Sequence, residues 1–213
     1  MNMILNTIDT LVWDWNGTLL DDVEMNLKVV NRMLSKRKLK QLSLYTYRDL
    51  FCFPVQSFHR KVGFDFEKES IEEISSEYHA IYKEYKNEKK LNIDALFILD
   101  TIGRMGIKQY ILSAAKKNDL LEETGHFEII NKFEGIYGAD DICAVGKIQI
   151  GELLVRENQL IPEKTLIIGD TLHDAEVAKA LGMNHILYSG GHNNDKLLAG
   201  SGKVITGLKE ITA

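Results

Sequence analysis

Hydrophobic and polar positions alternate between strand-like and helix-like patterns along most of the chain. An apolar run at residues 10–13 stops at Asp14 and is followed by Asn16 and Gly17, which is typical of a buried strand ending in a tight turn. Helical periodicity occupies the intervals between further short apolar runs. These runs predict five more strands: 107–112, 135–137, 166–168, 185–188 and 204–205. We therefore predict an α/β fold, a doubly wound parallel sheet with crossover helices.

One long interval is helical throughout. Apolar residues repeat at spacings of three and four from Asp22 to Leu34, and a similar spacing recurs on a charged background from Glu67 to Lys90. We predict that residues 21–90 form an all-helical insertion in a core of residues 1–20 and 91–213. The chain leaves the core after a strand, so the insertion should lie over the carboxyl ends of the strands, with its hinge at residues 87–90.

Charge, hydropathy and cysteine spacing argue against several kinds of binding partner. The chain has 213 residues and a formal net charge of −5, so nothing draws it to nucleic acid or to an anionic membrane. No apolar run is long enough to span a bilayer, and the first basic residue is Lys28, so we expect a cytoplasmic protein. Cys52 and Cys143 lack the spacing of a zinc or disulfide site and are expected to be reduced packing residues.

Polar side chains follow the predicted strands. Asp14, Ser113 and Asp170 come directly after strands, and Lys147 follows a less certain one. Each alone has an ordinary explanation as a turn former, a helix cap or a solvated charge. Side chains at the carboxyl ends of parallel strands converge on one crevice, however. Two carboxylates, a hydroxyl and an ammonium gathered there suit a divalent cation and a phosphate.

These residues stand in local sequences that resemble the motifs of the haloacid dehalogenase superfamily. Residues 12–19, Val-Trp-Asp-Trp-Asn-Gly-Thr-Leu, resemble its nucleophile motif, a strand followed by Asp-x-Asp-Gly-Thr. Residues 168–174, Ile-Gly-Asp-Thr-Leu-His-Asp, resemble its acidic motif, Gly-Asp-x-x-x-Asp. Leu112-Ser113 and Lys147 are similar to the second and third motifs, although no Pro follows Lys147. The insertion resembles the family's helical cap, so the resemblance extends over nearly the whole chain.

The resemblance implies a Mg²⁺-dependent phosphatase acting on a small phosphorylated metabolite, most similar in arrangement to phosphoglycolate phosphatases. Asp14 would be the nucleophile, forming an aspartyl-phosphate that water hydrolyses. Asp14, the backbone carbonyl of Asn16, and Asp170 would hold Mg²⁺.

The remaining motif residues have implied roles in binding the phosphoryl group. Ser113 and Lys147 would hold it, and Thr18 would help to orient it. Asp174 would position Lys147 or a metal-bound water. Its ordinary explanation is an acidic residue at a helix N-terminus, where the dipole favours it.

Asn16 departs from the family pattern. The family's phosphatases carry Asp at this position to protonate the leaving group, and an amide cannot do so. Such general acid help contributes roughly 10²–10⁴-fold. Nearby substitutes are His173, Asp21 and Asp22.

Three explanations of Asn16 stay open at this point. The substrate could be a pyrophosphate, an acyl phosphate or an aryl phosphate, whose leaving group needs little protonation. The enzyme could be slow and accumulate its aspartyl-phosphate. The chain could also be a phosphate-binding protein that has lost turnover.

Other classes of protein compete less well. Family dehalogenases and phosphonatases also lack the second Asp, but the paired Asp170 and Asp174 favour phosphoryl chemistry. A phosphonatase needs a cap lysine, and the sequence singles out none of four: Lys28, Lys36, Lys61 and Lys83. A response-regulator receiver also phosphorylates an Asp, but it has no helical insertion.

The cap should determine the substrate, because it closes over the phosphate site. We interpret its apolar stripe as a packing face of the cap itself: Ile71, Ile74, Tyr78, Ile81, Tyr82 and Tyr85. Five residues are candidate contacts for an anionic substrate: Arg32, Arg48, His59, Arg60 and Lys61. Cap aromatics could equally form a dimer contact, so the chain is expected to be a monomer or a homodimer.

Overall fold

The computed structural model describes residues 3–139 and 146–212. The described residues form a six-stranded parallel sheet in the order β3-β2-β1-β4-β5-β6. In chain order the strands are β1 (Thr10–Trp13), β2 (Lys108–Lys116), β3 (Gly135–Ala139), β4 (Thr165–Gly169), β5 (Asn184–Tyr188) and β6 (Lys203–Ile205). The strand order reverses at β1, which lies between β2 and β4. The α/β doubly wound prediction is therefore confirmed, and the reversal marks the point where such sheets bind ligands.

Helices cover both faces of the sheet and build the insertion. They are α1 (Val23–Lys36), α2 (Leu44–Leu50), α3 (Val55–Lys61), α4 (Ile71–Glu84), α5 (Ala95–Arg104), α6 (Lys117–His126), α7 (Lys147–Asn158), α8 (Leu172–Leu181) and α9 (Asp195–Leu198). The predicted helix over Glu67 to Lys90 is shorter in the structure, since α4 begins after its Ser70 cap. Periodicity did not place α2, α3 or α9, which are too short to show a repeat.

The central strand is buried on both sides. Leu11 and Trp13 belong to a hydrophobic cluster with α5, whereas Val12 belongs to a second cluster with α7 and α8. This alternation follows from the two-residue period of a strand. Both faces of β1 are therefore packed up to the residue before Asp14.

The helical insertion has a hydrophobic cluster of its own. Helices α1 to α4 pack around buried side chains that include Met33, Tyr47, Phe58 and Ile74. The chain leaves and re-enters the core side by side, because the Asp21 N–H donates to the Lys90 carbonyl (2.9 Å). A short 3₁₀ helix, Lys86–Glu88, overlaps the first two residues of the predicted hinge at 87–90. The domain boundaries at residues 20/21 and 90/91 stay predictions.

The end of β2 and the two cysteines bear on predictions from the sequence. Strand β2 continues to Lys116, so the prediction that Ser113 follows a strand is wrong. The pairing register with β3 shifts between Leu112 and Lys116, so regular pairing stops where the apolar run stops. Cys52 is a free, half-buried cysteine, and Cys143 lies outside the described residues. No helix of the described chain is long and apolar enough to cross a membrane.

Candidate active site

The turn after β1 presents Asp14 at the edge of the sheet. The backbone N–H of Asp14 donates to the Ile168 carbonyl of β4 (2.8 Å), so it continues the sheet before the chain turns. Gly17 has φ +77°, and a Cβ there would lie 2.4 Å from Asp170 Oδ2 and 2.5 Å from the His192 ring. Only glycine tolerates both this conformation and this close approach.

Lys147 joins two carboxylates at the bottom of the site. Its Nζ lies 2.5 Å from Asp14 Oδ1 and 2.5 Å from Asp174 Oδ1, and the side chain is buried. Burial opposes its charge, but the two carboxylates outweigh burial and raise the pKa of Lys147. Burial likewise acts to raise the pKa of Asp174, but Lys147 and bonds from Thr171 lower it. Both members of this pair are therefore charged at neutral pH.

Asp170 follows β4 and is held by two donors. Thr18 Oγ1 donates to its Oδ1 (3.1 Å), and the His192 backbone N–H donates to its Oδ2 (2.5 Å). Burial raises the pKa of Asp170 well above its ordinary value, and Asp14 and Asp174 act in the same direction. Burial also raises the pKa of Asp14. Lys147 thus offsets Asp14 and Asp174, whereas the charge near Asp170 that acts to lower its pKa is that of His192.

The three carboxylates form a candidate metal centre. One oxygen from each of Asp14, Asp170 and Asp174 lies within 4.8 Å of the others. Hard oxygen donors of this kind suit Mg²⁺, and a divalent cation would offset the excess negative charge. Both oxygens of Asp174 already accept hydrogen bonds, one from Lys147 and the other from Thr171. Asp174 therefore anchors the lysine, and both oxygens of Asp14 and of Asp170 also accept hydrogen bonds.

The structure brings the predicted site residues together. A cavity of about 1190 Å³ is lined by Asp14, Asn16, Ser113, Lys147, Asp170 and Asp174. Thr18 is fully buried and lies against this set, because its hydroxyl also approaches Asp14 Oδ2 (3.3 Å). Ser113 belongs to the site although it lies inside β2, and its Oγ accepts the Ala115 N–H (3.1 Å).

The side chain of Asn16 is committed to neighbours. Its amide donates to Asp22 Oδ2 (2.7 Å) and to the Tyr82 hydroxyl (3.2 Å). Asp22 is buried and also accepts hydrogen bonds from the Gly17 N–H, the Asn26 amide and Tyr82. Burial acts to raise the pKa of Asp22, but His192 and the hydrogen bonds from Asn16 and Tyr82 lower it. Asp22 is therefore an ionised acceptor rather than a substitute acid.

The two other candidate acids differ in position. Asp21 pairs with Lys90 (3.1 Å) and is not among the lining residues of the cavity. His173 does line the cavity, where its ring stacks on Phe53 of the cap (centroids 4.7 Å apart). Its Nδ1 lies 3.0 Å from Glu176 Oε2.

His192 is a site residue that sequence reasoning missed. Its Nδ1 lies 2.8 Å from the Tyr47 hydroxyl, and its ring stacks on Phe51 (centroids 4.8 Å apart). Burial opposes its charge, but Asp22 and Asp170 raise the pKa of His192. A signal was present: Ser-Gly-Gly-His follows β5, as a polar residue follows β1 and β4.

The cap residues expected to meet an anionic substrate are mostly elsewhere. His59 lines the cavity, but the four other candidates are not among its lining residues. Arg32 pairs with Glu84 (2.6 Å), and the Arg60 guanidinium lies over the Phe66 ring. Arg48 donates to the Gly190 carbonyl (2.6 Å), and Lys61 to Cys52 Sγ (3.1 Å). Of the four lysines considered for a phosphonatase, Lys83 is the one that lines the cavity.

The apolar stripe of the cap has two roles, not one. Ile81 and Tyr85 pack within the cap cluster, as predicted. Four residues of the stripe also line the cavity: Ile71, Ile74, Tyr78 and Tyr82. The prediction of a pure packing face was therefore incomplete, because one face of α4 meets both the cap interior and the cavity.

The family model for haloacid dehalogenase-like hydrolases matches residues 11–188. The chain belongs to this hydrolase family. No curated protein sequence matches the chain at a significant level.

Solved structures with the same fold cover nearly the whole chain. A haloacid dehalogenase-like family hydrolase from Streptococcus pneumoniae is 21% identical, with TM-score 0.83 over 97% of this chain and 98% of that chain. A protein described as a predicted phosphatase, from Clostridium acetobutylicum, is 18% identical, with TM-score 0.78 and 96% of each chain covered. A predicted phosphoglycolate phosphatase from Haemophilus somnus 129PT is 15% identical, with TM-score 0.76 and 97% of each chain covered. At these identities the likeness shows the fold, a sheet core with a helical cap.

Proposed function

We propose that the protein is a Mg²⁺-dependent phosphatase that acts on a small phosphorylated metabolite through an aspartyl-phosphate. One observation carries the proposal: the buried Asp14 carboxylate lies at the bottom of a cavity beside Lys147, Asp170 and Asp174. Family membership and the likeness to a predicted phosphatase support the same reaction class.

In the proposed reaction an Asp14 oxygen attacks phosphorus. An Asp14 O–P bond forms while the bond from phosphorus to the leaving oxygen breaks. A water molecule then hydrolyses the acyl phosphate, which restores the Asp14 carboxylate and releases phosphate. Lys147 offsets negative charge on the phosphoryl oxygens, and Asp174 holds Lys147 in position. Ser113 and Thr18 orient the phosphoryl group from β2 and from the turn after β1.

The donor set fits Mg²⁺. Asp14, the backbone carbonyl of Asn16, and Asp170 would hold the ion, whose charge would let an anionic nucleophile approach an anionic phosphate. Asp14 and Asp170 have raised pKa values because burial outweighs the opposing charge of Lys147 at Asp14 and of His192 at Asp170. A cation is the group that would relieve this imbalance.

Phosphoglycolate is the substrate that the resemblance indicates, and a predicted phosphoglycolate phosphatase has the same fold. The cap arginines that would meet its carboxylate, Arg32, Arg48 and Arg60, are not lining residues of the cavity. Phosphoglycolate therefore enters the experiments below as one test substrate.

A second candidate function is binding of a phosphate ligand with lost or slow turnover. The observation that favours it is Asn16, whose amide donates to Asp22 and Tyr82 and cannot supply a proton from a carboxyl group. Binding would then persist while the chemical step failed.

Release of phosphate from p-nitrophenyl phosphate with and without Mg²⁺ tests the proposal. The native chain should turn over, and Asp14→Asn should lose about 10⁴-fold or more of that activity. Asp9→Asn is a matched control at the amino end of the same strand, and it should behave like the native chain. If Asn16→Asp alone is active, binding becomes the better account. If Asp14→Asn keeps its activity, the proposed nucleophile is wrong.

A further inference from the structure

The cavity above Asp14 is much larger than a phosphoryl group requires. Its volume is about 1190 Å³, and phosphate would occupy only the end formed by Asp14, Ser113 and Lys147. Pockets for drug-sized ligands range over roughly 300–1,000 Å³. The remaining volume is therefore available to the leaving group of the substrate.

Aromatic rings of the cap line this remaining volume. Four half-buried rings, which we call the aromatic wall, are those of Phe51, Phe53, Tyr78 and Tyr82. The rings are held by stacking: Phe51 lies on His192, Phe53 lies on His173, and Tyr78 lies on Tyr82 (centroids 5.7 Å apart). Rings fixed in this way favour a planar aromatic partner, with which they can stack or make edge contacts.

The cations that the cap contributes to the lining are neutral, paired or exposed. Burial, with the Arg37 charge, lowers the pKa of His59 to about 4, so this histidine is neutral at pH 7. Lys89 is bound to Glu123, and Lys83 and Lys86 are exposed. On the sheet side, Lys116 of β2 also lines the cavity and is half-buried.

Chemistry at Asn16 restricts the leaving group independently. Its amide hydrogens point to Asp22 and Tyr82, and the Tyr82 hydroxyl itself donates to Asp22 (3.0 Å). Neither the Asn16 amide nor the Tyr82 hydroxyl is a carboxylic acid that could protonate the departing oxygen. An alkoxide is about as basic as hydroxide, the conjugate base of water with pKa 15.7, whereas a phenolate derives from a group of pKa about 10. A phenolate can therefore leave without the proton that an alkoxide needs.

We propose that the site acts on aryl phosphates, monoesters whose leaving oxygen is attached directly to an aromatic ring. This inference rests on the proposed phosphatase function and names its substrate class. In the reaction the Asp14 O–P bond forms, the P–O(aryl) bond breaks, and the phenolate takes its proton from solvent. Acetyl phosphate also has a weakly basic leaving group, but it brings no ring to the aromatic wall.

Four substrates separate the two requirements, with kcat and KM measured in Mg²⁺. Phenyl phosphate has both the ring and the weakly basic leaving group, and phosphoglycolate has neither. Benzyl phosphate has only the ring, and acetyl phosphate has only the leaving group. The native chain should turn over phenyl phosphate about 10²-fold or more faster than benzyl phosphate, with similar KM for the two. Asn16→Asp should raise kcat for benzyl phosphate at least tenfold and change phenyl phosphate little.

A ring variant tests the aromatic wall. Phe53→Ala should raise KM for phenyl phosphate about fivefold and leave acetyl phosphate unchanged, since one aromatic pair contributes about 1 kcal/mol. Tyr45→Ala is the matched control, because the Tyr45 side chain is 65% exposed and is not a lining residue of the cavity. An equal effect of Phe53→Ala on both substrates would overturn ring recognition.

The outcomes distinguish this inference from the proposed function. If phosphoglycolate or acetyl phosphate is hydrolysed as efficiently as phenyl phosphate, by a route that Asp14→Asn abolishes, the protein is a phosphatase and the substrate class is wrong. If no substrate releases phosphate, even with Asn16→Asp, the phosphatase proposal is wrong. Calorimetric binding to Asp14→Asn then tests the ligand class by itself. Phosphoglycolate binding as tightly as phenyl phosphate would overturn it.

Discussion

The sheet edge and the cap wall build the same cavity in different ways. At the sheet edge, Asp14 and Asp170 each lie one residue beyond a buried strand, and short turns determine where they point. In the cap, Phe51 and Phe53 come from the connection between α2 and α3, and Tyr82 comes from α4. The reactive groups therefore depend on local chain geometry, whereas the groups beside the leaving group depend on how helices pack.

The two regions also differ in charge. The sheet edge holds buried carboxylates around Lys147, whereas the wall presents uncharged rings. They meet at Asp22, which accepts hydrogen bonds from Asn16 of the core turn and from Asn26 and Tyr82 of the cap. Charge handling and leaving-group recognition are thus separate but adjoining properties. The predictions below perturb one region at a time.

The largest effect should come from the sheet edge. Lys147→Ala should lower kcat/KM for p-nitrophenyl phosphate by about 10²–10³-fold, because the ammonium offsets charge on Asp14, Asp174 and the phosphate. Lys179→Ala removes an exposed lysine of α8 and should leave the rate unchanged. Steady-state kinetics measures kcat/KM of the native chain and the two variants, and circular dichroism checks that the variants fold. Near-normal turnover in Lys147→Ala would remove this lysine from the site.

A cap histidine should make the chain sensitive to acid. The pKa of His59 is about 4 in the folded state because of burial, but about 6.5 in the unfolded chain. As the pH falls, His59 therefore takes up a proton in the unfolded chain before it does so in the folded chain. Protonation of His59 thus lowers the stability of the fold between pH 6.5 and pH 4, and it has little effect above pH 6.5. Between pH 7.5 and pH 4.5 the free energy of unfolding of the native chain should fall by roughly 2–3 kcal/mol more than that of His59→Gln.

Urea unfolding at the two pH values measures this difference. His126→Gln changes an exposed histidine of α6 and should track the native chain. Equal acid sensitivity of native protein and His59→Gln would show that His59 does not carry the effect.

The carboxylates at the sheet edge should respond to pH in the opposite direction. The folded-state pKa values of Asp14 and Asp170 are raised by burial, so without metal these groups favour the folded state more as the pH falls. Mg²⁺ competes with those protons and should stabilise the protein more at pH 8 than at pH 5. At one hundred times its Kd the ion should contribute about 2.7 kcal/mol.

Thermal unfolding with Mg²⁺ or EDTA tests this prediction. Asp170→Asn should lose most of the Mg²⁺ response. A response as large in Asp170→Asn as in the native chain would place the metal elsewhere.

The smallest effect should come from the boundary between the two regions. Tyr82→Phe removes one donor to Asp22, and the net loss should be about 1 kcal/mol of unfolding free energy. Turnover should change no more than about fivefold, since Asp14 and Lys147 are untouched. Tyr85→Phe, at the residue directly after α4, is the control. A loss of 10²-fold in Tyr82→Phe would mean that this hydroxyl contacts the reacting group.

Much of the sheet edge could be predicted from the sequence. The buried run of β1 and the turn at Gly17 indicate where Asp14 lies, and Asp170 follows β4 in the same way. Ser113 was placed outside its strand because the irregular pairing of β2 with β3 is not visible in either strand alone. His192 lies four residues beyond β5, after Ser-Gly-Gly, so the rule that places Asp14 and Asp170 points only to its neighbourhood.

The partners of Asn16 could not be predicted in this way. The sequence identifies Asn16 as unusual and its neighbours Asp21 and Asp22 as equal candidates, but α1 begins so that Asp22 turns inward and Asp21 stays near Lys90. Tyr82 reaches Asn16 across 66 positions of the chain. The short helices α2 and α3, which bring Phe51 and Phe53 to the cavity, show no periodicity of their own.

The side-chain direction of a residue next to a strand end is determined by the strand, because backbone hydrogen bonds and the two-residue period act over a few positions. The positions of Asp14 and Asp170 were therefore accessible from the amino-acid order, whereas the reaction class was implied by the resemblance of their motifs. Contacts between Asn16, Asp22 and Tyr82 depend instead on the packing of α1 and α4 over the sheet. That packing is set by the burial of many side chains at once, and no local pattern encodes it.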